Sequence, residues 1–378
     1  MRMNLSSQIS LNRVSTRYYK PENTIERSVL TRFEKVPVNI YESVEEGVKN
    51  IANEIVNKVQ ERQRDGKFCT IAAGIGISLR PLYAELVRRY KEDGVSFRNV
   101  VLFNLYEFYP ITETTNSSIS QLSELFIKQV DIDPQNVFTL DGSVPQENLT
   151  EYCSLYEQRI STYGGLDIAL MGIGREGNIG MNEPGSTAAS TTRLILVDTT
   201  SRAEASHNLG LDKLPPCSIT MGVGTILAAR KIYLLAWGDE KADIIQKAVE
   251  EKISDAVPAS YLQLHRNATV CIDLPAASHL TRIQRPWLVT SCEWTDKLIR
   301  SAIVWLCLQT KKPILKLTNK DYNENGLSEL LALYGSAYNV NIKIFNDLQH
   351  TITGWPGGKP NADDTYRPER AKPVPKRI

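Results

Sequence analysis

The sequence lacks an excess of either charge and lacks long apolar runs. Its 378 residues carry 44 Lys and Arg against 43 Asp and Glu, a formal net charge of +1. Charges this closely balanced create no broad field of one sign. Neither nucleic acid nor an anionic membrane surface is therefore an expected partner. No run of about 18 apolar residues occurs, and residues 1–17 contain no uninterrupted apolar segment, so we predict neither a membrane span nor an export signal.

Paired cysteines are also lacking. The six cysteines lie far apart, with no CxxC pair. A chain of this length needs no disulfide staples, so we expect reduced, mostly buried thiols and a cytoplasmic protein. The 22 glycines and 18 prolines are spread along the chain. This spread excludes a collagen-like repeat and a wholly disordered chain.

The composition that is present is that of an ordinary globular protein, 42% hydrophobic and 23% charged. The length exceeds the roughly 250–300 residues at which a single core stops growing. We therefore expect several parts, and assign them from local composition. They are an N-terminal arm over residues 1–35, packed on the surface or on a partner subunit, a main domain over 36–280, an extension over 281–353 and a linker-like tail over 354–378.

Strand-like and helix-like segments alternate along the main domain. Apolar runs predict strands at 38–41, 69–74, 99–105, 166–174, 193–197 and 231–237. Helical spacing predicts helices at 44–64, 80–90, 118–130, 147–162 and 239–251. Such alternation indicates an α/β fold, a mostly parallel sheet with helices on both faces. Beyond 280, a predicted helix over 294–308 and short strands over 313–317 and 340–345 indicate a smaller C-terminal α/β extension.

Loops after the strands are the places to look for a site, because ligands of open α/β sheets bind outside the carboxyl ends of the strands. In AAGIGISLRP (72–81) a glycine turn precedes a helix, where free N–H groups favour phosphate. A turn needed only for packing explains this loop equally well. In FNLYEFYP (103–110), Glu107 follows a buried strand, although carboxylates in loops are more often solvated.

Two later loops give stronger indications. GIGREGNIGMNEPGS (172–186) holds four glycines within nine residues, together with Glu176, Asn178 and Glu183. This polar density after a central strand favours a ligand site over a purely structural loop. In WGDEKA (237–242), Lys241 stands in the first turn of a helix, where the dipole disfavours a cation unless it meets an anion.

Several separated motifs resemble, in order and spacing, those of the glucosamine-6-phosphate deaminase family. They are GIGREGNIGMNEPGS, ITMGVGTILAARKIYLLAWGDEKA and VPASYLQLH, supported by NVVLFNLYEFYP and ISTYGGLDIALMGIG, and the resemblance spans about residues 37–280. It implies a Rossmann-like fold and, in ordinary members, conversion of glucosamine 6-phosphate to fructose 6-phosphate and ammonia without a metal or organic cofactor. The whole chain also resembles a longer Bacteroidetes branch, whose further part is a zinc-dependent deacetylase-like domain of the LmbE type, not contained in these residues.

The resemblance also implies roles for single residues. The family's aspartate base falls on Tyr106, while the glutamate after it is kept as Glu107. Its catalytic histidine falls on Asn178 and the acidic residue before that on Glu176, whereas the supporting glutamate is retained as Glu183. Tyrosine, with an ordinary pKa of about 10, is a poor substitute for a carboxylate base.

The implied ligand is a sugar phosphate or amino-sugar phosphate. The family's phosphate loop falls on Gly76, Ile77 and Ser78, its phosphate-binding lysine on Lys241 and a nearby arginine on His207. Asparagine does not titrate, so Asn178 can orient a sugar hydroxyl but cannot pass its proton. The family is often oligomeric, which implies a homo-oligomer.

Four functional interpretations follow. A general acid or base typically contributes about 10²–10⁴-fold, so losing two predicts that ordinary deaminase activity is lost or strongly reduced, leaving a sugar-phosphate-binding relative. An enzyme with different sugar-phosphate chemistry, using Glu107, Glu176 and Glu183 as its acid–base set, carries about equal weight. An active deaminase with an altered proton route ranks third. A sugar-phosphate sensor ranks last, because residues 1–35 are too short for a helix-turn-helix domain.

Overall fold

The computed structural model describes residues 14–111, 117–209 and 214–353. Contacts divide the chain into two compact units, one up to Gln284 and one from Arg285 onward. No helix of the described residues is long and apolar enough to cross a membrane.

The first unit is built on a parallel sheet of seven strands with the order β1-β10-β9-β6-β2-β3-β5. Its strands are β1 (Val38–Tyr41), β2 (Cys69–Ala73), β3 (Val100–Asn104), β5 (Val137–Phe138), β6 (Ile168–Gly172), β9 (Lys231–Ala236) and β10 (Ala268–Asp273). A smaller antiparallel sheet contains β4 (Tyr106–Tyr109), β8 (Cys217–Thr220) and β7 (Arg193–Leu196), in that order.

Helices lie on both sides of the main sheet. They are α1 (Thr24–Leu30), α2 (Val44–Arg64), α3 (Arg80–Asp93), α4 (Ser118–Leu125), α5 (Leu149–Thr162), α6 (Thr199–Leu209), α7 (Val223–Leu227), α8 (Ala242–Glu250), α9 (Leu274–Ala277) and α10 (Thr281–Gln284). The predicted mostly parallel α/β fold is confirmed.

Burial explains why the central strands read as apolar runs. Every residue of β2 and β3 is buried, as expected for parallel strands covered on both faces. Helix α2 shows the complementary pattern, since Ile51, Ile55 and Val59 recur at helical spacing and are at most 1% exposed. The Ser43 side chain begins this helix by accepting a hydrogen bond from the amide of Glu46.

Strands β4, β5, β8 and β10 are not predicted from the sequence, and the predicted strand at 193–197 does not belong to the main sheet. The last of these segments is β7, which belongs to the antiparallel sheet. Strand β4 was interpreted as a loop because only Leu105 separates it from β3. For β10 a signal was present, since ATVCID is rich in β-branched residues and fully buried.

The described part of the N-terminal segment packs within the first unit. Tyr18, Tyr19 and Leu30 are buried there. The carboxylate of Glu34 forms an ion pair with Arg282, whose Nε lies 2.7 Å from Oε1, and both side chains are 2% exposed. This segment is therefore fixed to the end of the first unit by a buried pair of charges.

The described part of the second unit, residues 285–353, is helical and contains no strand, so the predicted C-terminal α/β extension is wrong. Its helices are α11 (Asp296–Thr310), α12 (Asn319–Glu324), α13 (Ser328–Tyr334) and α14 (Ala337–Thr353). The predicted strand at 313–317 contains the 3₁₀ turn Ile314–Lys316, and 340–345 lies inside α14. Val340 and Ile344 are both fully buried four residues apart, which is helical spacing that a short apolar run cannot distinguish from a strand.

Candidate functional site

The carboxyl ends of β2, β3, β6 and β9 lead into loops that line one cavity. Sequence-predicted binding residues and unpredicted ones meet there. The lining residues are Gly74, Ile75, Gly76, Ile77, Ser78, Leu79, Leu105, Tyr106, Met171, Gly172, Ile173, Gly174, Asn178, Gly180, Met181, Ser201, Glu204, Ala205 and Lys241. The cavity thus lies where the topology of an open α/β sheet predicts a ligand site.

The glycine loop after β2 forms one wall. A Cβ on Gly74 would lie 3.0 Å from the Leu105 side chain and 3.2 Å from the Leu170 carbonyl, so the close packing of this turn favours glycine. The amides of Gly76, Ile77 and Ser78 donate to no acceptor within the described residues. They precede α3, and free N–H groups before a helix of this length are suited to an anion.

Asn178 is fixed by the tight loop after β6. It is 7% exposed, and its Oδ1 accepts no hydrogen bond from the described residues. A Cβ on Gly174 would lie 1.8 Å from that Oδ1, so a larger residue there would force the amide to shift. Gly174 also donates to the Asn178 carbonyl at 3.0 Å. The Oδ1 itself is buried against Gly174, so it can meet a ligand hydroxyl or amine only if the amide turns toward the cavity.

Lys241 is buried in the cavity wall and already has a partner. It is 3% exposed, and its Nζ lies 2.7 Å from Oε1 of Glu204. The other oxygen of Glu204 accepts a hydrogen bond of 2.9 Å from the Arg175 amide. Helix α6 supplies Ser201, Glu204 and Ala205 to the cavity, at the spacing of one helix face.

Sequence analysis missed Ser201 and Glu204. The one signal for Glu204 was the position of Lys241 in a first helical turn, which favours a nearby anion. That anion is a side chain 37 residues away in sequence.

Tyr106 and Glu107 are neighbours in β4, so their side chains point to opposite faces of the strand. Tyr106 lines the cavity, and its hydroxyl donates to the Ile75 carbonyl at 2.9 Å. Burial raises the pKa of Tyr106 above its ordinary value, with the nearby Glu107 adding to the shift. A tyrosine in this state is a hydrogen-bond donor rather than a base.

Glu107 lies outside the cavity lining and is 1% exposed. Its two oxygens accept hydrogen bonds from the Phe108 amide at 2.9 Å, the Ser117 hydroxyl at 2.6 Å, the Ser118 amide at 2.8 Å and the Ile119 amide at 3.1 Å. Burial raises the pKa of Glu107, and these donors oppose the shift. The carboxylate holds the start of α4 against β4, which is a structural arrangement.

Glu183 lies behind the lining residue Ser201. Its Oε2 accepts the Ser201 hydroxyl at 2.9 Å. Burial raises the pKa of Glu183, and the charges of Asp198 and Glu176 act in the same direction. This carboxyl group therefore has the environment of a proton carrier and connects to the cavity through one hydroxyl.

Glu176 and His207 are exposed and do not line the cavity. The structure thus brings together Gly76, Ile77, Ser78, Tyr106, Asn178 and Lys241, and it places Glu107, Glu176, Glu183 and His207 outside the lining. Among the ranges 14–111, 117–209 and 214–353, no group of three or more His, Cys, Asp and Glu side chains is arranged to hold a metal ion.

Comparison with known proteins adds family relationships. The family described as glucosamine-6-phosphate isomerases/6-phosphogluconolactonase matches residues 42–271. A glucosamine-6-phosphate deaminase-like protein of Bacteroides thetaiotaomicron is 66% identical over the whole chain, which spans 57% of that relative's length. A glucosamine-6-phosphate deaminase of Bacillus velezensis is 35% identical over 63% of this chain and 95% of its own.

Solved structures support the same family relationship. A monomeric glucosamine-6-phosphate deaminase is similar with a TM-score of 0.60 and 31% identity, covering 64% of this chain and 99% of its own. A 6-phosphogluconolactonase from Trypanosoma brucei, 19% identical with a TM-score of 0.53 over 65% of this chain and 99% of its own, shares the fold. By the matched residues and these likenesses, the chain belongs to the glucosamine-6-phosphate isomerase/6-phosphogluconolactonase family.

Proposed function

We propose that the cavity binds a sugar phosphate or amino-sugar phosphate and that ordinary glucosamine-6-phosphate deamination is lost or strongly reduced. Sugar-phosphate binding is supported by one observation. The amides of Gly76, Ile77 and Ser78, which have no acceptor within the described residues, line the same cavity as the ammonium of Lys241. Amides before a helix together with a lysine suit a phosphate group. Asn178 lines the same cavity and adds a polar amide group for a sugar hydroxyl or amine.

The reduced activity rests on the two positions that the family resemblance assigns to proton transfer. Tyr106 donates its hydroxyl to a backbone carbonyl, and its pKa is raised. Asn178 has no titratable proton. Glu107 is a poor replacement, because all its hydrogen bonds go to the β4–α4 junction, and Glu176 is exposed.

Glu183 supports the alternative of a different chemistry on a related sugar phosphate. Its raised pKa and its contact with Ser201 at the cavity wall are suited to proton transfer. An active deaminase with an altered proton route would use the same carboxyl group, and the 35% identity to the glucosamine-6-phosphate deaminase of Bacillus velezensis favours that alternative.

Two measurements on the purified chain test the proposal. Thermal unfolding is followed with glucosamine 6-phosphate, N-acetylglucosamine 6-phosphate, fructose 6-phosphate or inorganic phosphate, and a ligand of the native state raises the midpoint. A coupled assay then measures ammonia released from glucosamine 6-phosphate. We expect a raised midpoint with little ammonia, and turnover near the enzyme median of about 10 s⁻¹ would contradict the reduced activity.

The chain spans 57% of the length of its Bacteroides relative. What is proposed here for the cavity is therefore also only a proposal for any longer protein that contains it. A deacetylase-like partner domain, a homo-oligomer and a cytoplasmic location stay predictions.

A further inference from the structure

We propose that Glu204 is an internal competitor for the anion site and thereby sets how strongly the cavity binds phosphate. The inference rests on the proposed sugar-phosphate function and adds a specificity-determining residue to it. Its basis is the ion pair of 2.7 Å between Glu204 and Lys241, both of which line the cavity.

The pair is held firmly from both ends. The Lys241 and Glu204 side chains are 4% and 12% exposed, so water screens their attraction weakly. Glu204 is also anchored by the Arg175 amide through its second oxygen, at 2.9 Å. The carboxylate thus accepts a lysine ammonium and a backbone amide, the same kinds of donor that a phosphate oxygen uses.

No other cation compensates for this pairing. Of the described residues that line the cavity, Lys241 is the sole Lys, Arg or His. With Glu204 on Lys241, the side chains of the lining therefore carry no net positive charge. An incoming phosphate either displaces Glu204 from Lys241 or shares the remaining N–H groups of the ammonium, and in both cases it lies near the Glu204 carboxylate, which lowers its affinity.

Binding and the position of Glu204 are consequently linked. Glu204 is part of α6, so a phosphate on Lys241 displaces a side chain of that helix. A change that removes Glu204 from Lys241 should therefore strengthen phosphate binding, and by reciprocity a bound phosphate weakens the contact of Glu204 with Lys241 by the same factor. The free amides of the glycine loop bind the phosphate, and competition from Glu204 lowers the affinity of that binding.

The test compares the wild-type chain with Glu204→Gln by calorimetry, using inorganic phosphate and glucosamine 6-phosphate. We expect Glu204→Gln to bind both at least about tenfold more tightly, since roughly 1.4 kcal/mol of competition corresponds to that factor. Glu240→Gln is the matched control, because it also removes one negative charge beside Lys241. Glu240 is 55% exposed and does not line the cavity, so its affinity change should be small.

The unliganded midpoint gives a second readout. Glu204→Gln leaves a buried ammonium without its counter-ion, so its thermal midpoint should fall below that of wild type and phosphate should restore it. Should Glu204→Gln not fold, Glu204→Asp decides, because the shorter acid keeps the charge but loosens the pair. Its phosphate affinity should exceed that of wild type, and an unchanged affinity overturns the inference.

The outcomes separate this inference from the proposed function. Equal affinities of wild type and Glu204→Gln for a bound sugar phosphate overturn the competitor role and leave the proposed function standing. Binding by Glu204→Gln alone supports the competitor role but contradicts sugar-phosphate binding by the natural chain. Binding by neither, at millimolar concentration, overturns both.

Discussion

The surroundings of Glu107 and the cavity beside Tyr106 are separated by one strand and differ in how their polar groups are paired. On the Glu107 face, one carboxylate accepts four hydrogen bonds. On the cavity face, the Asn178 Oδ1 and the amides of 76–78 have no partner within the described residues. Burial of a carboxylate is therefore a poor marker of a site, and a polar atom without a partner is a better one.

The largest loss of stability is expected from removing hydrogen bonds of the Glu107 carboxylate. Glu107→Gln replaces one acceptor oxygen with an NH₂ group, so the two donors that this oxygen serves lose their acceptor. At about 1–3 kcal/mol for each unsatisfied group, the free energy of unfolding should fall by about 2–6 kcal/mol. Urea denaturation measures it. Glu176→Gln, at an exposed glutamate, should leave the free energy nearly unchanged, and a similar loss in both variants would contradict the structural role of Glu107.

Overpacking the cavity face should have a smaller effect. In Gly174→Ala the new methyl would lie 1.8 Å from the Asn178 Oδ1, so the amide must leave its position. We expect a loss of about 1–3 kcal/mol in the free energy of unfolding and weaker binding of sugar phosphate. Gly76→Ala is the control for stability, since its Cβ would meet nothing within 4 Å. If both alanine variants are equally stable, Asn178 is not fixed in the way described.

Removing Lys241 tests whether the cavity binds an anion through this cation. Lys241→Ala deletes one charge-assisted hydrogen bond, worth about 1.5–3 kcal/mol, so sugar-phosphate affinity should fall roughly tenfold or more. Calorimetry measures the change. Lys247→Ala, at an exposed lysine of α8, should bind as wild type does. Equal affinity of wild type and Lys241→Ala would show that phosphate, if bound, uses other groups.

The smallest effect concerns pH. Burial raises the pKa of Glu183 in the folded chain, so the folded state holds this proton more tightly than the unfolded state does. The associated stability is complete below the unfolded pKa and is lost as the pH rises through the folded pKa. Glu183→Gln should therefore flatten part of the decline in the thermal midpoint above the ordinary glutamate pKa. An unchanged pH profile would show that Glu183 ionises freely in the fold.

The sequence allowed prediction of the cavity's loops but not of all its residues. The glycine loop at 72–81, the loop at 172–186 and Lys241 could be located because ligands meet the carboxyl ends of parallel strands. Glu107 was misplaced because β4 was not recognised, and side chains of adjacent strand residues face opposite ways. Glu204 was missed because its partnership is a contact between distant segments, which local patterns do not contain.

The helical second unit shows the same limit at the level of secondary structure. The short apolar runs at 313–317 and 340–345 fit a strand pattern. In the structure the first contains a 3₁₀ turn and the second lies in a helix. Packing against neighbouring helices overrides the local preference of so few residues.

The buried ion pair of Glu34 and Arg282 determines where this chain can be shortened. Its partners lie on either side of the family match at 42–271, so a fragment cut to that match contains neither. A fragment that starts at residue 36 and keeps Arg282 instead leaves without its counter-charge a guanidinium that is 2% exposed in the whole chain. Removing one partner of such a pair typically destabilises a protein by about 3–5 kcal/mol. We therefore expect fragments that include both residues to be more stable than fragments that lack either one.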